Sequence, residues 1–373
     1  MQTMPAPASE LRLSGRALAA MSGGVDSAVA TALACGAGRD SVGVTMRLWS
    51  PGDGELSEKV RQCCGPTAYE DARRAAAAIG IPHFVVNFER AFERAVVDYF
   101  CAEYLAGRTP NPCVACNNLV KFGALLDFAR VLGADTIVTG HYARIVRDND
   151  GTHLLRAVDR SKDQSYMLAG LEPEQLGALV LPLGELSKDR TRDVARERGL
   201  DVADKPDSMD LCFVDGDYRG FIARRFPESA EAGPLFTVDG ERVGTHDGLL
   251  NYTVGQRKGL SVANGAGGPW YVVSTDRASN TVTVGRRADL ARTTIDCTNV
   301  NVVRPEHFVG DVARGRAVCR YRSAPIEATA RLTAKGGLRV SLAQPVPMAS
   351  PGQLLVLYDE ADVEVVASGV IGA

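Results

Sequence analysis

The sequence lacks several things that would place it at once. No apolar stretch among its 373 residues approaches the ~20 needed to cross a bilayer as a helix. The opening MQTMPAPASELRLSG has no basic region followed by a long apolar core, so no secretory signal is read there and the expected location is the cytoplasm, with no membrane partner. An excess of one charge is missing too: 42 Lys and Arg stand against 45 Asp and Glu, a net charge of −3. That balance does not advertise a dedicated phosphate binder, although a local basic face is enough to engage phosphates. Arg314, Arg316, Arg320 and Arg322, with Tyr321 between the last two, form such a cluster. A solvated strand face gives the same pattern. There is no internal repeat and no extended low-complexity segment. The nine cysteines are odd in number and follow no signal sequence, which argues against a secreted disulfide scaffold. What is present, 45% hydrophobic and 23% charged residues, is ordinary for a globular protein of two or three domains.

The first half alternates strand-like and helix-like segments. Apolar runs at 18–21, 41–46, 83–88 and 135–139 read as strands, and 68–79, 89–106 and 117–132 as helices, with Gly80 and Gly133 as C-caps. This alternation predicts an α/β domain with a parallel sheet covered on both faces. An Asp-Gly turn between alternating runs at 142–158 predicts a β-hairpin. Further helical signals fall at 172–180 and 187–198. The first domain is expected to span residues 1–215. Residues 216–287 read as a small linking domain, and 288–373 as a β-barrel or sandwich built from short strands that include TVTVGRR, RAVCRYR, EATARLT, LRVSLA and LLVLYD.

The chemistry is carried first by Ala20-Met21-Ser22-Gly23-Gly24-Val25-Asp26-Ser27, set between a strand and a helix. Glycines let backbone N–H groups approach an oxyanion, and the following helix N-terminus favours negative charge there. The two serines add hydroxyl donors, and Asp26 is placed to help position Mg2+. The spacing is not GxxxxGK[ST], which excludes the common ATPase loop. It resembles the SGGxDS loop of the PP-loop ATP pyrophosphatases, a likeness that implies adenylation of a substrate oxygen with release of pyrophosphate.

Two cysteine loops narrow the substrate. In Thr109-Pro110-Asn111-Pro112-Cys113-Val114-Ala115-Cys116-Asn117 the prolines suggest an extended segment, with Asn117 beginning the next helix and Cys116 at its N-terminus, where a thiolate is favoured. The second loop is Lys205-Pro206-Asp207-Ser208-Met209-Asp210-Leu211-Cys212-Phe213. Two thiols on separate loops near an adenylated oxygen suit sulfur relay.

Together with VKFG, TGHYAR, KDQSYML, NYTVGQRKGL and CRYR, these segments make the chain resemble, over essentially its whole length, the bacterial tRNA 2-thiouridylases. The resemblance implies an adenine-nucleotide α-hydrolase-like domain, a small central domain and a C-terminal β-barrel that contacts tRNA. It implies ATP, with Mg2+, on residues 20–27, and adenosine contacts from Met46 and Gly140. Cys116 would be the nucleophile and Cys212 the persulfide carrier. Asn111, Pro112 and Cys113 would meet the target base, and His141, Lys162, Asp163, Gln164, Arg320, Tyr321 and Gln353 the tRNA. The implied partners are tRNA, a cysteine desulfurase or sulfur-carrier protein, and a thiol reductant. The implied product is 2-thiouridine at the wobble position.

One departure matters. Many members of that family have aspartate where this chain has Cys113. Cys113, Cys116 and Cys212 could therefore hold a [4Fe–4S] cluster, as in related thiolases with a CxxC pair and a distant cysteine. Cys113 reads equally well as a neutral replacement. Cys63-Cys64 reads as a plain loop, and Cys35, Cys101, Cys297 and Cys319 as packing residues. A small-molecule adenylating ligase, or a noncatalytic RNA-binding protein on a residual nucleotide fold, are the competing readings. Both leave the paired cysteines unexplained.

Overall fold

A computed structural model describes residues 15–50, 65–206, 211–214, 216–227, 231–260, 262, 268–347 and 349–372. The opening segment, Cys63, Cys64 and residues 207–210 of the second cysteine loop lie outside the described residues.

Strands β1 (Arg16–Ala20), β2 (Asp40–Arg47), β3 (His83–Asn87), β4 (Ala134–Val138) and β7 (Leu179–Val180) form a parallel sheet in the order β3-β2-β1-β4-β7. Helix α1 (Val25–Gly36) packs on one face with α2 (Pro66–Ile79), where alanines allow close approach. The chain winds away from β1 in both directions, towards β2 on one side and β4 on the other, so the sheet has its switch point between β1 and β4. Ligands of open α/β sheets bind at the carboxyl ends of such strands. The expected hairpin is present as β5 (Ala143–Asp148) and β6 (Gly151–Arg156).

Two helical runs cover the other face and both contain a π-type stretch. The first, α3, runs through Glu89–Phe92, Glu93–Asp98 and Tyr99–Leu105. The second, α4, runs through Pro112–Ala115, Cys116–Ala124 and Leu125–Val131, with the middle segment π-type in each case. This corrects the expectation that α4 begins at Asn117. The Asn111 side chain caps the helix by accepting from Val114 N at 3.3 Å, and Pro112 occupies the first turn, where its missing N–H costs nothing. The signal expected over 172–180 resolves into a short helix, Pro173–Gly177, followed by the edge strand β7. Helix α5 (Lys188–Glu197) is capped by Ser187 as its sequence suggests.

Helix α6 (Tyr218–Arg225) leads into a four-stranded sheet of β8 (Gly233–Thr237), β9 (Arg242–His246), β10 (Tyr271–Asp276) and β11 (Thr281–Gly285), in the order β10-β11-β8-β9. The TVTVG strand, grouped in sequence with the C-terminal strands, thus lies inside the central sheet. Alternation identifies a strand but not its sheet. The remaining strands, β12 (Arg292–Val302), β13 (Val312–Val318), β14 (Ile326–Leu332), β15 (Leu338–Val346), β16 (Leu354–Tyr358) and β17 (Val365–Ile371), close into a barrel rather than a sandwich. Small inward residues such as Ala313, Ala317 and Ala330 leave room for Val340, Leu355 and Leu357 in its narrow core.

A buried polar clamp joins barrel and first domain. Arg156, at the end of β6, pairs with Asp163 and Asp362, each at 2.8 Å, and its guanidinium lies 3.6 Å from the centroid of the Tyr358 ring. The Tyr358 hydroxyl meets Ser165 Oγ at 3.0 Å, which in turn donates to Asp163.

Candidate active site

The SGGVDS loop leaves the carboxyl end of β1 and turns directly into α1. Gly23 adopts φ 72°, and a Cβ there would lie 2.3 Å from Ala68 O, so glycine is required twice over. Ser27 Oγ accepts from Ser22 N at 3.1 Å and donates to Gly24 O, which fixes the loop's curl. Gly140, just past β4, backs onto the same turn: a Cβ would come within 2.5 Å of Asp26 C. Met46 is half-buried on neighbouring β2. The sheet therefore brings residues 20–27, Met46 and Gly140 together at its switch point.

Sequence reading missed the groups that hold Asp26. Lys188 Nζ, from the first turn of α5, donates to both carboxylate oxygens at 2.7 and 2.8 Å. The Tyr142 hydroxyl lies 2.9 Å from Oδ1 and 3.0 Å from Thr191 Oγ1. Lys205 adds a second cation, bridging Gly23 O at 3.0 Å and Asp71 at 2.6 Å. The loop thus sits among two ammonium groups and a helix N-terminus, an anion-favouring setting.

The thiols lie to the side of α4. Cys113 is exposed, whereas Cys116 is only 7% exposed. Burial pushes the Cys116 thiol up to about 12; Lys121 opposes that shift, and the neighbouring Cys212 and Cys113 add to it. This corrects the expectation of a helix-terminal thiolate: with the helix starting at Pro112, Cys116 lies beyond its first turn and inside the core. Cys212, half-buried, acts electrostatically on both Cys113 and Cys116, so the three thiols share one neighbourhood. Lys121 also faces His141, whose imidazole is driven down to about 3 by burial first and the Lys121 charge second, and is therefore neutral. His141 Nδ1 pairs with Thr139 Oγ1 at 2.8 Å, and its ring lies 5.7 Å from that of Phe122. The VKFG segment carried the only sequence signal for Lys121.

In a [4Fe–4S] cluster each cysteine thiolate takes its own iron, so the ligand sulfurs stand around the cluster rather than meeting at one ion. Among the described residues no group of three His, Cys, Asp or Glu side chains is arranged to hold a metal. Cys113, Cys116 and Cys212 therefore do not converge on a single ion in this arrangement.

The residues expected to meet RNA divide in two. Arg320 is exposed and Tyr321 and Lys162 are half-buried at the junction of barrel and first domain. Asp163 is buried and fully engaged, taking Arg156, Ser165 Oγ and the amides of Ala157 and Ser165. Gln164 is turned inward, its Oε1 accepting from Tyr142 N at 3.0 Å. Gln353 Nε2 reaches across from the barrel to Thr109 O at 2.8 Å, and Thr109 N donates to Pro351 O at 2.7 Å. Asn111, Pro112 and Cys113 come directly after that tethered stretch of backbone.

A labelling experiment checks the thiol order. At pH 8 a thiol with a pKa of about 12 is ~0.01% thiolate; burial pushes the Cys113 thiol up as well, but by less, and Cys113 is exposed to reagent. Iodoacetamide at limiting dose is expected to modify Cys113 first and Cys116 hardly at all, read by peptide mass spectrometry. Equal labelling of the two would contradict the buried position of Cys116.

Three family models match successive stretches of the chain. They are described as a tRNA methyl transferase HUP domain over residues 15–216, a tRNA methyl transferase PRC-barrel domain over 219–286, and an aminomethyltransferase beta-barrel domain over 292–371. Among curated relatives, the tRNA-specific 2-thiouridylase MnmA of Carboxydothermus hydrogenoformans is 43% identical over 350 residues, covering 92% of this chain and 94% of that protein. Its counterpart from Chloroflexus aurantiacus is 45% identical over 346 residues, with coverage of 91% and 94%. That of Methylorubrum extorquens is 43% identical over 378 residues, covering 99% of this chain and 95% of its own length. Similarity of this degree along nearly all of both chains, and across all three domains, shows that this chain belongs to the tRNA-specific 2-thiouridylase family.

Proposed function

We propose that this chain replaces oxygen 2 of the wobble uridine in tRNA with sulfur, using ATP. The observation that carries the reading is the joining, in one domain, of a PP-loop whose aspartate is held by Lys188 with a neighbourhood of three thiols on and beside α4. An adenylating loop alone would serve a ligase, and thiols alone would serve a redox protein. The combination suits activation of an oxygen followed by its displacement with sulfur.

In this reading the backbone N–H groups of residues 20–27, with Ser22 and Ser27, bind the ATP phosphates, while Met46 and Gly140 bound the adenosine. Mg2+ held near Asp26 would neutralise phosphate charge; Lys188 and Tyr142 keep that carboxylate aimed at the loop. The target base leaves its stack to reach the site. Uridine O2 attacks the α-phosphorus, pyrophosphate leaves, and O2 becomes a good leaving group as AMP. Cys212 carries a persulfide supplied by a cysteine desulfurase or carrier protein. Cys116, as thiolate, attacks the inner sulfur; the Cys116–Cys212 disulfide forms and hydrosulfide is expelled. Hydrosulfide adds at C2, AMP departs, and an external dithiol returns two electrons to the disulfide. Neutral His141 beside Lys121 serves as a hydrogen-bonding group and not as a cation. Because the Cys116 thiol is protonated in this conformation, its activation requires it to leave the core as substrate enters.

The test is reconstitution with unmodified tRNA, ATP, Mg2+ and a sulfide or persulfide source, with nucleosides resolved by mass spectrometry. The expected result is 2-thiouridine, with one AMP and one pyrophosphate per sulfur. Pyrophosphate release driven by a small metabolite in the absence of tRNA would instead establish a ligase.

A further inference from the structure

The central domain carries a cavity of about 600 Å³ lined by polar residues and Gly259, between the start of α6 and the turn that comes after β9. Its walls include Asp217, Arg219, Asp247, Asn251, Gln256 and Lys258, the last three from the NYTVGQRKGL segment. That segment is ordered by its own side chains: Gln256 Oε1 accepts from Thr253 N at 3.1 Å, and its Nε2 donates to Lys258 O at 2.9 Å. The turn therefore holds Arg257 and Lys258 outward, both exposed and without an anionic partner among the described residues. Arg219 leans over Tyr218, and its buried Nε has no hydrogen-bond partner among the described residues. Beside it stand the exposed Asp217, whose Oδ1 caps α6 by accepting from Arg219 N at 3.2 Å, and the exposed Asp247.

Position ties this cavity to the thiols. Asp217 lies five residues after Cys212, so the two are separated by at most about 18 Å. From the other side, Ser350 Oγ approaches Val254 O at 3.5 Å, and adjacent Pro351 accepts from Thr109 N on the backbone leading to Cys113.

We infer that the cavity is a subsite for the ribose–phosphate backbone of the RNA substrate, with Lys258 and Arg219 taking a phosphate and Asp217 or Asp247 accepting from a ribose 2′-hydroxyl. The inference rests on the proposed tRNA reading and extends it to a domain that the expected contacts leave out. The chemistry matches the cavity. A lining with cations and carboxylates side by side includes, among the described residues, no aromatic ring on which a base could stack. It complements a ligand that alternates anionic oxygens with hydroxyl donors, and the 2′-hydroxyl is what marks that ligand as RNA. The outer barrel groove at Arg314 and Arg316 is a weaker candidate, because Arg316 is already engaged by Glu327 at 3.8 Å and by Glu360 O.

The test uses the full chain with Lys258→Ala and the conservative Lys258→Arg, measuring tRNA binding from about 50 to 200 mM salt. For Lys258→Ala the expected result is binding weakened roughly 3- to 10-fold at low salt, with the salt slope reduced by about one unit. Lys258→Arg is expected to stay close to wild type, and ATP binding and the melting profile to be unchanged in both. Unchanged tRNA affinity and slope in Lys258→Ala would overturn the inference, as would a loss confined to binding of free AMP or inorganic phosphate. Normal tRNA binding with impaired sulfur loading from the donor protein would make this a protein-docking surface instead, and would equally overturn it. If wild type itself fails to bind tRNA, it is the functional reading that falls.

Discussion

Cys212→Ser is expected to abolish sulfur transfer, by on the order of 10³-fold or more, while leaving ATP-dependent release of pyrophosphate in the presence of tRNA. The adenylating loop and the thiols are separate devices, so removing the sulfur carrier strands the reaction after its first step. Cys116→Ser is expected to cost as much in product but to leave a different trace, since the persulfide on Cys212 can form and has nothing to open it. Intact-protein mass spectrometry after incubation with a sulfur donor would show the added sulfur on Cys116→Ser and its absence on Cys212→Ser. Cys113→Ser is expected to retain most of the activity, because its exposed thiol has no step in the relay. Should Cys113→Ser prove as dead as the other two, with iron bound in the wild-type protein purified without oxygen, the relay would give way to a three-thiol ligand set.

Arg156→Ala is expected to destabilise the junction between first domain and barrel by about 3–5 kcal/mol, because it leaves the Asp163 carboxylate buried without its cation. The Arg156 and Asp163 side chains are 13% and 5% exposed, so solvent screens the pair little. The lowest melting transition should fall on the order of 5–10 °C by differential scanning calorimetry. Asp163→Asn in the same background should recover part of the loss, since a neutral amide is cheaper to bury than an unpaired carboxylate. If Arg156→Ala and wild type melt together, the clamp is not structural. Asp163 would then be free for the RNA contact that the family resemblance implies.

The parts of the molecule legible in sequence were those whose cause is local. Glycines and serines between an apolar run and a helix-forming run mark a phosphate loop wherever they occur, and the Asp-Gly turn of the β5–β6 hairpin needs only its own neighbours. The start of α4 was misread by the same local logic. Asn-Pro looks like a break in structure, yet an Asn cap with Pro in the first turn is also how helices begin, and only the residues downstream separate the two cases. The rest depended on distance along the chain. Lys188 meets Asp26 across 162 residues, and Arg156 meets Asp362 across 206. Nothing in the local pattern around either cation distinguishes it from a solvated one. For the thiols, residue identity showed which chemistry was possible. Burial, which the helix boundary controls, decides which thiol is reactive in the resting protein.

The π-type stretch from Cys116 to Ala124 has a consequence for how the thiol and its cation are spaced. Five residues separate Cys116 from Lys121. In an α-helix of 3.6 residues per turn, five steps amount to about 500°, which leaves the two side chains some 140° apart on different faces. A backbone closed by i→i+5 hydrogen bonds has a wider turn and brings the residue five steps on back towards the side of the first. The wide turn thus keeps the Lys121 charge on the side of the helix that carries Cys116, where it acts on that thiol. Deleting one residue from the stretch would tighten it to ordinary helix and swing the cation away from the thiol, without touching either side chain.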